Sequence, residues 1–139
     1  MEIAFYNTVL GGMNCTGKEF TYVNQLASSD EDPDRRQKWF TCACCPPNVT
    51  RTFGFLGGYL WSFQTHEASA AIQVHLFDSA DLVFEVGKEQ LKLHQESRWP
   101  WHGEIKFRLD APESVKTAIS IRIPGWASGW TVSITLERG

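Results

Sequence analysis

Three of the four cysteines fall inside one short stretch, Cys42-Ala43-Cys44-Cys45-Pro46-Pro47-Asn48. Up to three soft thiolates this close favour zinc over magnesium or calcium. Zinc is usually held by four ligands in a tetrahedron, so at least one ligand must come from elsewhere. The spacing differs from the Cys-x-x-Cys pairs of ribbons and fingers. Just ahead of a helix N-terminus, the thiols face the positive end of the dipole, which favours thiolate and makes a nucleophilic role possible. Two blander readings stand beside these. The cysteines can be small buried hydrophobes under the helix, or they can join Cys15 as the fourth ligand of a closed structural zinc site.

Two disulfides are a poor account of four cysteines when three lie within four positions, where the backbone cannot present ordinary bridges. Reduced thiols are the simpler expectation. The triplets Asn14-Cys15-Thr16 and Asn48-Val49-Thr50 match the glycosylation pattern, but such triplets are frequent by chance and need secretion to matter. His75 sits in a strand pattern, and His66, His94 and His102 lie near strand ends, so each reads as a solvated or packed histidine. Trp99, Trp101 and Trp126 could stack on sugar rings, yet aromatics before turns in a sandwich more often plug the core.

The elements that must carry these residues change character near residue 66. Ile3, Tyr6, Leu10 and Met13 stand at helical spacing, and Gly11-Gly12 can supply a left-handed helix end. No capping side chain precedes Glu2, a hint that an upstream part is missing. Gly17 to Val23 reads as a short hairpin arm, and Ser28 to Lys38 as a polar loop containing Pro33. Val49, Phe53, Leu56 and Leu60 then predict a helix entered at Pro47 and weakened by Gly54, Gly57 and Gly58.

Beyond His66 the period becomes two, through Ile72-Val74-Leu76, Leu82-Phe84-Val86, Ile105-Phe107-Leu109, Ile119-Ile121-Ile123 and Val132-Ile134-Leu136. Polar partners such as Glu104, Lys106 and Arg108 imply antiparallel sheet with one wet face. Leu91 and Leu93 mark one more strand. About six strands make a thin sandwich with unpaired edges, through which copies of the chain could associate. The end at Gly139, straight after a strand pattern, again reads as a cut.

The whole is 139 residues, 42% hydrophobic and 21% charged, which suits one ordinary globular core rather than disorder. A net charge of -3 gives no basic face for nucleic acid. No run of about 18 apolar residues and no signal-peptide order occurs, so neither membrane nor export is expected and a cytoplasmic place is the default.

At Trp39-Phe40-Thr41-Cys42-Ala43-Cys44-Cys45-Pro46-Pro47-Asn48 the chain strongly resembles the β-L-arabinofuranosidases of glycoside hydrolase family 127. Tyr6-Asn7-Thr8-Val9-Leu10-Gly11-Gly12-Met13, Gly17-Lys18, Tyr22-Val23-Asn24, Val74-His75-Leu76-Phe77, Trp99-Pro100-Trp101-His102-Gly103 and Ile121-Arg122-Ile123-Pro124-Gly125-Trp126-Ala127 are similar to family segments in family order. The double-cysteine motif with Pro-Pro-Asn is the specific part.

The resemblance implies an α+β chain. The end of a helical (α/α) catalytic barrel, residues 1–66, leads into an incomplete β-sandwich of antiparallel strands, residues 67–139. It implies that Cys44 is nucleophile and zinc ligand, that Cys45 is a second zinc ligand, and that Cys42 has no assigned role. The implied reaction is retaining hydrolysis of non-reducing-end β-L-arabinofuranosides. The Cys44 thiolate attacks the anomeric carbon, a thioglycosyl intermediate forms and water releases arabinose. A metal-stabilised thiolate is less nucleophilic, so orientation must recover rate. The family's remaining ligands, a Glu-x-Cys pair, and its acid/base glutamate lie upstream of where this chain begins, and no Glu-x-Cys occurs here. The chain is therefore expected to resemble an internal fragment carrying part of a site. The alternative is a non-catalytic β-module that binds carbohydrate or protein.

Overall fold

The computed structural model describes residues 1–23, 25–31 and 35–136. The chain divides into two units, Met1–Tyr59 and Leu60–Gly139. The α+β class read from the sequence is what the structure has: short helices in the first unit and two three-stranded sheets in the second.

In the first unit the apolar spacing of Ile3 to Met13 gives a helical run, but only its start is α-helix. α1 (Glu2–Ala4) passes into a π turn at Phe5–Val9 and a 3-10 turn at Leu10–Gly12. The run stops where Met13 becomes extended, with φ -111° and ψ 154°. Neither Gly11 nor Gly12 has a positive φ, so the expected left-handed glycine end is not used.

The predicted arm is present. Phe20 bridges Met13 on one side and Gln37 on the other, and Gly17, at φ 67°, makes the turn between. Asn24 at the end of the arm and Pro33 in the polar loop lie outside the described residues.

The single helix expected from Pro47 to Leu60 is two: α2 (Pro47–Gly54) and α3 (Gly57–Leu60), with Phe55 leaving helical geometry at φ -103° and ψ 2°. The break falls among Gly54, Gly57 and Gly58. These lose the most entropy on ordering and offer no side chain to pack, so the helix gives way there.

In the second unit β2 (Ser69–Val74) is flanked by β1 (Trp61–His66) and β6 (Lys116–Ile121), and β4 (Glu89–Ser97) is flanked by β3 (Ala80–Val86) and β5 (Ile105–Asp110). One pair departs from the antiparallel expectation: β6 runs parallel to β2, with Ile72 opposite Ile119 and Val74 opposite Ile121. A parallel neighbour needs a long crossover, and here the chain builds β3, β4 and β5 before returning.

The inward faces follow the predicted period. Ile72 and Val74 from one sheet and Phe84, Val86, Leu91 and Leu93 from the other belong to one buried cluster, and Phe63 stacks on Phe84 with centroids 4.3 Å apart. Leu91 and Leu93, read as marking one more strand, lie on the central one and are fully buried.

Two features differ from the sequence reading. β1 begins at Trp61, ahead of the change in period, because only Trp61 and Phe63 are apolar on it and no alternation is long enough to notice. Conversely Val132, Ile134 and Leu136 form no strand and are 61%, 85% and 87% exposed. Alternation makes a strand only where a sheet edge accepts its hydrogen bonds, and no described strand pairs with these residues.

Candidate active site

The cysteine segment is held from both ends. On its C-terminal side the first turn of α2 closes on it: the Asn48 amide donates to the Cys45 carbonyl at 3.0 Å and the Val49 amide to the Pro46 carbonyl at 2.9 Å. Pro47 suits this position because a first-turn N–H has no helical partner to lose. Asn48 ties the turn further, accepting from Arg51 Nη1 at 2.8 Å through its side chain and from Thr52 Oγ1 at 2.8 Å through its carbonyl.

On the N-terminal side the anchor is aromatic. Phe40 lies 5.3 Å from Phe20 and 5.6 Å from Tyr22, centroid to centroid. Phe20 and Tyr22 are two apart and both rings meet Phe40, which ties the arm to the start of the cysteine segment. The arm is itself fixed. Phe20 and Gln37 exchange two backbone hydrogen bonds of 3.0 Å, and the Thr21 amide donates to the Gly12 carbonyl at 2.8 Å. Asn14 Oδ1 gathers the turn by accepting from Thr16 Oγ1, the Lys18 amide and the Glu19 amide.

The consequence is a contact between residues far apart in sequence. The Tyr22 hydroxyl stands 3.1 Å from Cys44 Sγ and 3.5 Å from Cys45 Sγ, and the two sulfurs are 3.4 Å apart. All four cysteines are free thiols at exposed positions, so the reading of Cys42, Cys44 and Cys45 as buried hydrophobes does not hold. The Cys44 thiol is pulled below its ordinary range, first by the Tyr22 hydroxyl, then by the Cys45 and Cys42 thiols. The sequence reading placed that effect on the helix N-terminus; in the structure the leading cause is a phenol. The reciprocal holds for Tyr22, whose phenol is held well above its usual range, chiefly by its bond to Cys44. A hydroxyl that keeps its proton and points it at sulfur is a donor to thiolate.

Among the described residues no group of three or more His, Cys, Asp or Glu side chains is arranged to hold a metal ion. The closed zinc site completed by Cys15 is therefore not formed there. The sulfurs of Cys44 and Cys45 do fit half of a tetrahedral shell. Two thiolates at about 2.3 Å from one zinc stand about 3.8 Å apart, and the pair is already at 3.4 Å.

The other candidate residues have different duties. Trp99 stacks on Trp126 at 4.9 Å and 17° and packs against the core; Trp101 is 86% exposed. His75 Nε2 pairs with Ser62 Oγ at 2.8 Å. His94 binds Asp81, which also pairs with Lys92 at 2.8 Å.

Two residues the sequence reading passed over matter. Tyr22 had no signal beyond its place two residues after Phe20, and nothing local announced its partner 22 positions on. Gln95 continues the buried face of β4 as its one polar member: it accepts from Trp61 Nε1 at 3.3 Å and donates to the Leu76 and Asp78 carbonyls at 3.2 and 2.7 Å.

Residues 1–58 match the β-L-arabinofuranosidase GH127 catalytic domain, and residues 71–138 match the GH127 middle domain. The chain belongs to glycoside hydrolase family 127. A family 127 β-L-arabinofuranosidase from Geobacillus stearothermophilus T6, known from a crystal structure, superposes with a TM-score of 0.72 at 35% identity, over 93% of this chain and 21% of that one. A second family 127 β-arabinofuranosidase structure gives a TM-score of 0.70 at 32% identity, over 90% of this chain and 19% of its own. The non-reducing end β-L-arabinofuranosidase of Bifidobacterium longum subsp. longum is 29% identical over 93% of this chain. The chain thus spans about a fifth of the length of these relatives. The stretch matched to the family's catalytic domain contains Tyr22, Cys42, Cys44 and Cys45, and the stretch matched to its middle domain contains β3 to β6.

Proposed function

We propose that this chain carries the nucleophile-bearing part of a retaining β-L-arabinofuranosidase, with Cys44 as nucleophile. In this reading residues 1–66 close a helical (α/α) barrel and residues 67–139 belong to a β-sandwich. The observation that carries it is the Tyr22 hydroxyl 3.1 Å from Cys44 Sγ, an exposed thiol favoured as thiolate within the matched catalytic domain.

The Cys44 sulfur attacks the anomeric carbon of a terminal arabinofuranoside as the glycosidic oxygen departs with a proton from an acid that no residue of this chain is assigned to supply. Water then attacks the same carbon and the Cys44 sulfur leaves as thiolate. Tyr22 acts at both ends of the cycle. Its hydrogen bond raises the thiolate fraction before attack and stabilises the departing sulfur afterwards. The same bond makes the sulfur a weaker nucleophile, because nucleophilicity falls with thiol pKa. Cys44 and Cys45 are the residues that would hold zinc, and the metal's contribution when bound would be to keep Cys44 deprotonated at neutral pH.

The test is a chimera in which residues 1–139 replace the matching segment of the Bifidobacterium enzyme. It should hydrolyse an arabinofuranoside, and Cys44→Ala should abolish turnover while Cys15→Ala leaves it intact; equal turnover in both variants would remove Cys44 from the role. Metal content by mass spectrometry, measured under reducing conditions on the chimera and on its Cys44→Ser, Cys45→Ser double variant, should show zinc lost in the double variant.

A further inference from the structure

Of the tryptophans that could stack on a sugar, Trp101 is the one left open to do so. Trp99 and Trp126 stack on each other, and Trp99 packs against the core. Trp101 is 86% exposed and has no ring partner among the described residues. It stands on the turn between β4 and β5, where the Trp101 and His102 amides both donate to the Arg98 carbonyl, at 3.0 and 3.1 Å. Arg98, His102 and Gly103 of this turn line a cleft of about 150 Å³ together with Glu96, Glu104 and Lys106. A cavity of that size admits one six-membered ring.

The lining has a definite chemistry. Lys106 Nζ pairs with Glu104 at 3.6 Å, while the side chains of Glu96, Arg98 and His102 have no partner among the described residues. Two carboxylates and two cations cancel, so the cleft favours neither an anion nor a cation. A carboxylate only accepts hydrogen bonds and a guanidinium only donates them, whereas a hydroxyl does both. Two neighbouring hydroxyls can therefore satisfy Glu96 and Arg98 at once. A sugar ring is a neutral ligand of this kind, with hydroxyls around its rim and an apolar C–H face that an indole can cover. Ligand sites combine these same parts, an apolar or aromatic surface and a few convergent polar groups.

We propose that this turn forms a carbohydrate-binding site for one neutral sugar ring, in which Glu96 and Arg98 take neighbouring hydroxyls, His102 takes a third, and Trp101 covers the C–H face. The site lies within the second unit and uses none of the cysteines, so it stands whether or not Cys44 attacks a sugar.

The experiment titrates the isotope-labelled full chain with L-arabinose, D-xylose and D-galactose in turn, and follows backbone amide and indole N–H signals by NMR. At least one sugar should shift the Gly103 amide and the Trp101 indole together and saturably. Trp101→Ala and Arg98→Ala should each weaken that affinity about tenfold, the scale of one aromatic contact or one charge-assisted hydrogen bond. Both residues are exposed, so the variants should keep the fold, which unchanged signals from β3 to β5 verify. Arg98→Lys, which keeps the charge and loses the planar fork, should weaken binding as well. Cys44→Ala should leave the affinity as it was. No saturable shift with any of the three sugars, an affinity that the Trp101 and Arg98 variants leave unchanged, or shifts that vanish in Cys44→Ala would overturn the proposal. So would sodium sulfate shifting these signals where the sugars do not, since the cleft would then be an anion site.

Discussion

Replacing Gln95 by leucine tests whether one buried amide holds β4 to its surroundings. Gln95 is fully buried and satisfies three groups: the Trp61 indole N–H and the carbonyls of Leu76 and Asp78. Leucine has nearly the same volume, so no cavity forms and the effect is polar. Asp78 is exposed, and its carbonyl can turn to water. The indole of buried Trp61 and the Leu76 carbonyl are left without partners, at about 1–3 kcal/mol each. The leucine side chain returns about 1–2 kcal/mol of transfer free energy, leaving a net loss of about 2 kcal/mol. With a urea slope of about 1–3 kcal/mol/M, the midpoint of β-sheet loss, followed by far-UV circular dichroism, should fall by about 1 M. Trp61→Phe removes the orphaned indole donor, so in its background Gln95→Leu should cost less, by about 1 kcal/mol. An unchanged or higher midpoint for Gln95→Leu would show that the hydrogen bonds contribute nothing net, and a full cost in the Trp61→Phe background would show that the indole is not the group orphaned.

Tyr22→Phe should move the pH midpoint of Cys44 alkylation by iodoacetamide upward, since the bond that favours thiolate is gone; an unchanged midpoint in a Cys15, Cys42 and Cys45 to serine background would assign the lowering elsewhere. Asp81 is held below its ordinary value of 3.8, first by Lys92 and then by His94. Its stabilising contribution is therefore complete above that value and lost as pH falls through the lower folded one. Acid titration of stability should show this loss in the parent chain and not in Asp81→Asn. Leu93→Ala, at a fully buried position of the central strand β4, should cost about 2–5 kcal/mol by urea denaturation.

What was legible in the sequence was whatever repeats locally. Ile72-Val74, Phe84-Val86, Leu91-Leu93 and Ile119-Ile121 each show period two because one side of each strand is buried, and all became strands. β1 was hidden because it buries only Trp61, so burial never repeats along it. Val132, Ile134 and Leu136 mislead for the opposite reason: alternation states a capacity to pair, and pairing needs an edge. The parallel placement of β6 beside β2 was invisible because it depends on the route of the whole crossover.

The site divides along the same line. That Cys42 to Cys45 are candidates for thiol chemistry is legible in residue type, but which thiol would react is not, since Cys44 and Cys45 are neighbours with the same side chain. Only family resemblance distinguished them in the sequence. The fold supplies an independent asymmetry. Tyr22 stands closer to Cys44 than to Cys45, 3.1 against 3.5 Å, and it is the leading cause that pulls the Cys44 thiol below its ordinary range. That placement rests on Phe40, wedged between the arm and the cysteine segment. In the proposed reading, selectivity between the two adjacent cysteines rests on an aromatic contact made before the segment begins, and Phe40→Ala should weaken the lowering of the Cys44 thiol while leaving every cysteine in place, checked by the pH midpoint of its alkylation.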